Sequence, residues 1–269
     1  MLCKLCGSDK LSKLFTVKNY DIWRCAVCGF GQVQVSLEEL KTFYDQSYFR
    51  GAKASFAQEE ETPASPSHRF WLERQLDAFS ADMPLRLLEI GPGLGGQFGQ
   101  YLREFKPKVR YEAVELSDFA SERLQARGFT IHKGTVSDPE VIGKCVGRFD
   151  LVIGTEVIEH DPEPRLFAES VYKILRPGGR CAFTTGNLDG LMARFKKERW
   201  YYLDPPAHVS YYSARSAKRL FGDAGFSEVG IWLVGFNYID LKLRTHLPGI
   251  LFLADLFSVP SGMVISAIK

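Results

Sequence analysis

The chain has 269 residues, of which 45% are hydrophobic and 25% charged, enough for one domain with a substantial core plus a small appendage. Its 34 lysines and arginines against 32 acidic residues leave a net charge of +2, too weak a field to make nucleic acid or an anionic membrane the default partner. The N-terminus, MLCKLCGSDK, has no apolar h-region, and no apolar run reaches the roughly 20 residues of a membrane span, so a cytoplasmic location with reduced thiols is expected.

Four of the six cysteines come first, as Cys3-x-x-Cys6 and Cys25-x-x-Cys28, each pair followed by a glycine. Two intervening residues let both thiolates of a knuckle face one ion, and Gly7 and Gly29 permit the tight turn beneath it. The spacing predicts a structural zinc bound by Cys3, Cys6, Cys25 and Cys28 in a domain of residues 1–35, lying apart from any catalytic centre. Cys145 and Cys181 occupy apolar positions and read as core thiols.

Residues 36–66 read as a connector, with a short helical pattern in LEELKTFYDQSYF and a polar, proline-containing run, QEEETPASPS. Residues 67–269 then alternate strand-like runs (LRLLEI, RYEAVE, FTIHK, FDLVIG, RCAFTT) with amphipathic segments such as FAESVYKIL. This is βαβ alternation, so an α/β fold with a doubly wound, Rossmann-like parallel sheet is expected. EVGIWLVGF and GMVISAIK lack the crossover rhythm and fit an antiparallel edge, for seven strands with the last antiparallel.

In LLEIGPGLGGQF, glycines 91, 93 and 96 satisfy the dinucleotide fingerprint, and Glu115 ends the next strand where a ribose-binding acid belongs. Glu89 lies two residues before Gly91, where a carboxylate repels a pyrophosphate and attracts an ammonium group. EIGPGLG, VEL, FDLVIGTEVIEH and LRPGGRCAFTT together resemble the class I S-adenosylmethionine-dependent methyltransferases, and the CxxCG pairs resemble those of bacterial sugar and polysaccharide pathways. The resemblance implies that Glu89, Gly91, Gly93 and Gly95 hold the methionine end of S-adenosylmethionine and that Glu115 holds its ribose. It further implies that Leu116 and Val136 flank the adenine, that Thr155 and Glu156 line the cofactor pocket, and that Arg69 grips the donor's carboxylate, as in ubiquinone-biosynthesis O-methyltransferases.

The acceptor pocket belongs beyond the carboxyl ends of strands four and five. There a lid, residues 187–212, carries Lys196, Lys197 and Arg199, which suit a phosphate, and Trp200, Tyr201, Tyr202 and Tyr211, expected to line the pocket for a sugar or aryl ring. A packed lid with solvated charges is the plainer alternative, and ILFLADLF, residues 250–257, offers an interfacial segment for a lipid-linked acceptor. Catalysis is assigned to Glu159, His160 and His208. On a helical turn Glu156, Glu159 and His160 share one face, and with His208 they resemble the divalent-metal site of small-RNA 2′-O-methyltransferases and ubiquinone-type enzymes, implying Mg²⁺, Mn²⁺ or Zn²⁺. A lone histidine acting as general base is the alternative. The expected reaction is O-methylation of a small molecule such as a sugar or glycan precursor. C- or N-methylation of a nucleotide sugar, RNA 2′-O-methylation and a non-catalytic zinc-ribbon protein stay open.

Overall fold

The computed structural model describes residues 1–35, 39, 40, 43, 64–80, 83–234 and 262–269. Most of the connector and the whole of ILFLADLF lie outside these described residues.

The chain opens with a hairpin, β1 (Leu11–Val17) and β2 (Tyr20–Cys25), followed by β3 (Gly31–Val33). Lys18 and Asn19 both take left-handed φ, +50° and +67°, the pairing that a two-residue turn needs to match strand twist. Helix α1 (Pro66–Leu76) starts on a Ser65 cap with Pro66 in its first turn, where the missing N–H costs nothing.

An α/β alternation follows: β4 (Leu85–Ile90), α2 (Gln97–Phe105), β5 (Val109–Glu115), α3 (Asp118–Ala126), β6 (Thr130–Lys133), α4 (Pro139–Cys145), β7 (Phe149–Thr155), α5 (Pro164–Ile174) and β8 (Leu175–Gly186). After β8 come α6 (Leu191–Lys196), β9 (Ser210–Tyr211), α7 (Ala214–Asp223), β10 (Ser227–Val234) and β11 (Gly262–Ile268). Among the described residues the large sheet has seven strands in the order β10-β11-β8-β7-β4-β5-β6. Strands β4 to β8 pair in parallel, whereas the chain's last strand enters antiparallel between β8 and β10, as expected. β4 and β7 read as nearly continuous apolar runs because helices cover both faces: Leu87, Leu88, Val152 and Ile153 are wholly buried.

The small sheet holds a feature without a local signature. Its order is β1-β2-β3-β9, so its fourth strand comes from the lid some 180 residues downstream, with Gly31 opposite Tyr211 and Gln32 opposite Ser210. Ile22 and Val33 of the N-terminal segment share a core with Leu188, Trp200, Tyr202, Leu203 and Tyr211 of the lid. Trp200 and Tyr211, each 1% exposed, therefore pack as core rather than line an open pocket, which corrects the expectation for both. An indole or phenol ring gains more by leaving water entirely against the small sheet than by lining a half-solvated cleft.

Candidate active site

The four sulfurs of Cys3, Cys6, Cys25 and Cys28 lie within 4.8 Å of one another, with Cys3 Sγ to Cys28 Sγ and Cys6 Sγ to Cys25 Sγ each 3.6 Å. Zinc–sulfur bonds of about 2.3 Å require tetrahedral edges of roughly 3.8 Å, so the spacing fits one metal ion and is far too long for a disulfide. Each knuckle closes as its spacing predicts: Gly7 N–H donates to Cys3 O at 2.8 Å and Gly29 N–H to Cys25 O at 2.9 Å, with the glycines at φ +72° and +78°.

At the carboxyl end of β4 the chain turns through Gly91 and Gly93, both at positive φ. A Cβ on Gly91 would come within 2.9 Å of Val157 Cγ2, so only glycine lets the loop lie on the turn after β7. Glu115, 6% exposed, accepts from Gly93 N–H at 3.2 Å through Oε2 and from Ser117 N–H at 2.9 Å through Oε1. Each oxygen keeps a lone pair for a further donor, which suits a ribose diol. Arg127 donates to the carbonyls of Leu94 and Gly95 at 3.2 and 3.0 Å, bracing the loop that contains Gly95. Leu116 stands exposed beside Glu115.

Glu89 is buried beneath this loop, and burial pushes its carboxyl up to about 7. The Tyr111 hydroxyl, donating to Glu89 Oε2 at 2.5 Å, opposes that rise. Two further residues assigned to the cofactor differ in exposure. Val136 is 2% exposed within the main core, and Arg69 lies exposed on α1 with Nε donating to Ala64 O at 3.0 Å.

β7 ends at Thr155, and the turn that follows is irregular. Glu156 takes φ +51°, uncommon for a residue with a Cβ and a mark of a constrained site. Residues Ile158–His160 then form one 3₁₀ turn. The helical face expected for residues 156, 159 and 160 is therefore broken at Glu156, whose Oε1 accepts from Thr184 Oγ1 at 3.1 Å. What converges instead is Glu159, His160 and His208, with one ligand atom from each within 4.8 Å. Glu156 stays exposed at the edge of this cluster, so solvent moderates the upward push on its pKa from desolvation and from the Glu159 carboxylate.

The cluster is held from both sides. His160 Nδ1 contacts Ala207 O at 2.8 Å and His208 Nδ1 contacts Tyr202 O at 2.7 Å, so each ring donates through Nδ1–H to a carbonyl, and the Glu156 backbone also hydrogen-bonds His160. Burial lowers the pKa of His160 and takes His208 down to about 3, helped by the adjacent His160 ring, so both are neutral at physiological pH. Glu159 is wholly buried, and burial lifts its carboxyl to about 7. Its Oε2 accepts from Thr185 Oγ1 at 2.9 Å, and Thr185 also meets the Tyr202 hydroxyl at 2.7 Å, while Oε1 has no partner. A carboxyl oxygen without a partner beside two anchored imidazoles is a set of groups that could hold a metal ion. Thr185 and Tyr111 escaped sequence reasoning, whereas Tyr202 was expected at the acceptor pocket and is found beside His208. Thr185 alone carried a usable signal, since it sits at the carboxyl end of a central strand.

The lid leaves and rejoins the body through Leu188 N–H donating to Tyr212 O at 2.7 Å. Lys196, Lys197 and Arg199 face solvent with Tyr201, and the Tyr202 ring lies 4.5 Å from the His208 ring at a tilt of 48°.

Residues 56–229 match the family described as a methyltransferase domain. A ubiquinone biosynthesis O-methyltransferase of Psychrobacter arcticus is 30% identical over 177 residues, 60% of this chain and 66% of that protein. Phosphoethanolamine N-methyltransferase 2 of Caenorhabditis elegans is 31% identical over 102 residues, 36% of this chain and 23% of that protein, so the matched part is less than two thirds of either relative. The crystal structure of a SAM-dependent methyltransferase from Archaeoglobus fulgidus aligns with a TM-score of 0.54 at 18% identity, covering 75% of this chain and 94% of that one. With the glycine loop, the terminal acids and the antiparallel last strand in place, the chain belongs to the S-adenosylmethionine-dependent methyltransferase family.

Proposed function

We propose that this chain transfers the sulfonium methyl of S-adenosylmethionine to a hydroxyl of a small acceptor received by Glu159, His160 and His208. The observation that carries the reading is their convergence on the turn whose Val157 packs against Gly91 of the cofactor loop. The displacement forms an O–CH₃ bond as the S–CH₃ bond breaks, leaving S-adenosylhomocysteine and a proton. The protein must therefore align the acceptor oxygen and dispose of that proton.

The histidines divide this work. A base whose conjugate acid lies near 3 cannot hold a proton taken from a hydroxyl, so His208 reads as a ligand rather than a base. Glu159, His160 and His208, with one ligand atom of each within 4.8 Å of the others, would hold Mg²⁺, Mn²⁺ or Zn²⁺. Such a cation supplies charge that lowers the pKa of an acceptor hydroxyl. Glu156, exposed at the edge, then receives the proton and passes it to solvent. The second reading, methyl transfer with His160 as general base and no cation, draws on its partial exposure.

The acceptor side bears on substrate class. Tyr201 and the exposed Lys196, Lys197 and Arg199 suit a sugar carrying phosphate, and Leu191 and Phe195, 60% and 84% exposed on α6, suit a lipid-linked form of it. No helix among the described residues is long and apolar enough to cross a membrane. The test is methyl transfer from labelled S-adenosylmethionine to a catechol, a nucleotide sugar and a lipid-linked sugar, with the methylated atom located by NMR. An O-methyl product whose formation stops with EDTA, returns with Mg²⁺ or Mn²⁺ and is lost in His208→Ala supports the proposal. Methylation of nitrogen or carbon overturns it, and indifference to EDTA with zinc still bound selects the His160 mechanism.

A further inference from the structure

The cysteine cluster and the Glu159–His160–His208 cluster hang on one frame. Val33 N–H, in the ribbon, donates to Val209 O at 3.0 Å, and Val209 N–H donates to Glu159 O at 2.9 Å. The residue next to His208 thus bridges the ribbon strand and the turn that bears Glu159. Phe30, whose carbonyl accepts from Cys25 N–H at 2.9 Å inside the second knuckle, packs 5.2 Å from the Tyr212 ring. The Tyr212 hydroxyl donates to Ile158 O at 3.2 Å. Lys18, at the hairpin tip, is ion-paired with Asp204, and Asp204 O accepts from His208 N–H at 3.0 Å. Lys4, between the first two cysteines, donates to Pro162 O at 3.0 Å.

Resting on the reading of those three residues as the acceptor site, we propose that the cysteine ribbon is a positioning device for His208. Zinc on the four thiolates fixes β3, β3 fixes β9, and the His208 ring stays in the cluster only while that small sheet is whole. The dependence follows from size. β3 has three residues and β9 two, too short a pair to persist without support, and in a metal-built segment the energy of binding the ion is the energy of folding. The four connections reach both His208 and the turn of Glu159 and His160, so metal at the ribbon biases the geometry of a site it does not touch.

The full-length protein tests this by hydrogen exchange of residues 200–212, read by mass spectrometry in zinc-loaded, zinc-stripped and Gly31→Val forms. A Cβ on Gly31 would meet Tyr211 Cβ and Leu188 Cδ2 at 3.0 Å each, so valine wedges the β3–β9 seam without touching a thiolate or an imidazole. Stripping and the wedge should each speed exchange in residues 200–212 by at least about tenfold and leave exchange of β4 and β7 unchanged. Binding of Mn²⁺, followed by its EPR signal and chosen because thiolates disfavour it, should weaken by at least about tenfold. Affinity for S-adenosylmethionine should stay within about twofold, and Zn²⁺ should restore the stripped protein. Unchanged exchange in residues 200–212 after verified zinc loss overturns the proposal. Failure of Mn²⁺ to bind the zinc-loaded protein rejects the cation reading instead, while the exchange data still decide the positioning. If stripping unfolds the chain, the zinc-loaded wedge carries the test, with Gly31→Ala as the milder form.

Discussion

Glu159→Gln isolates the buried carboxyl at the centre of the site. Glutamine keeps the shape and the bond from Thr185 but cannot ionise. In the native protein burial lifts the Glu159 carboxyl to about 7 from its ordinary 4.5, so between these values the folded state binds more protons than the unfolded chain. Stability is then greatest below about pH 4.5 and is lost as pH rises through 7. At 1.36 kcal/mol per pKa unit, the penalty grows from about 1 kcal/mol at pH 5 to about 3 kcal/mol at pH 8, a loss of roughly 2–3 kcal/mol that the glutamine variant lacks. The amide must also place an N–H₂ where Oε1 has no partner, at a cost of about 1–3 kcal/mol, but that cost is independent of pH and cancels in the difference. Urea denaturation of both proteins at pH 5 and pH 8, zinc-loaded and free of other divalent ions, measures the double difference. Removing the Glu159 charge also relieves Glu156, which acts in the same direction. A double difference below about 0.5 kcal/mol would refute the buried, elevated carboxyl. Under the proposed cation reading the variant should also lose turnover, by about 10- to 100-fold.

Four further outcomes follow from the geometry. Elemental analysis of the purified protein should find one zinc per chain, and Cys25→Ser should release it. Glu115→Ala should weaken S-adenosylmethionine binding by about 1–3 kcal/mol in calorimetry, with wild-type affinity meaning that the ribose lies elsewhere. An ammonium group beside Glu89 should draw its carboxyl, now at about 7, back into the ionised form, so affinity for the cofactor should rise about fivefold from pH 6 to pH 7 with proton release, and Glu89→Gln should flatten that rise. Trp200→Ala, a deletion within the core, should cost about 3–5 kcal/mol of stability, whereas Tyr202→Phe should cost only about 1 kcal/mol and lower turnover through Thr185 and Glu159.

Features whose signal is local were legible in the sequence. The apolar runs of β4 and β7, the glycine turn at residues 91–93 and the two CxxCG knuckles each depend on residues close in the chain, and each folds as its spacing requires. The Glu-x-x-Glu-His stretch was legible in chemistry but not in geometry. A helical period puts residues 156, 159 and 160 on one face, yet the chain takes a left-handed conformation at Glu156, and Val157 packs close to Gly91 and Gly154. That single residue removes one ligand candidate from the cluster and leaves His208 to complete it.

The remaining features depend on partners far along the chain. Nothing in SYYS at residues 210–213 distinguishes a loop from a strand, because a two-residue strand has no period to detect, and its partner β3 lies some 180 residues away. The aromatic density at residues 200–212 was equally ambiguous, since rings that suit a sugar also suit a core. The small sheet decides which they become. It buries Trp200, Tyr202 and Tyr211 alike, and Tyr202 alone of the three also packs against His208. The ribbon that reads from its cysteines as a separate zinc module is thus the element that sorts the lid's aromatic side chains into core and site.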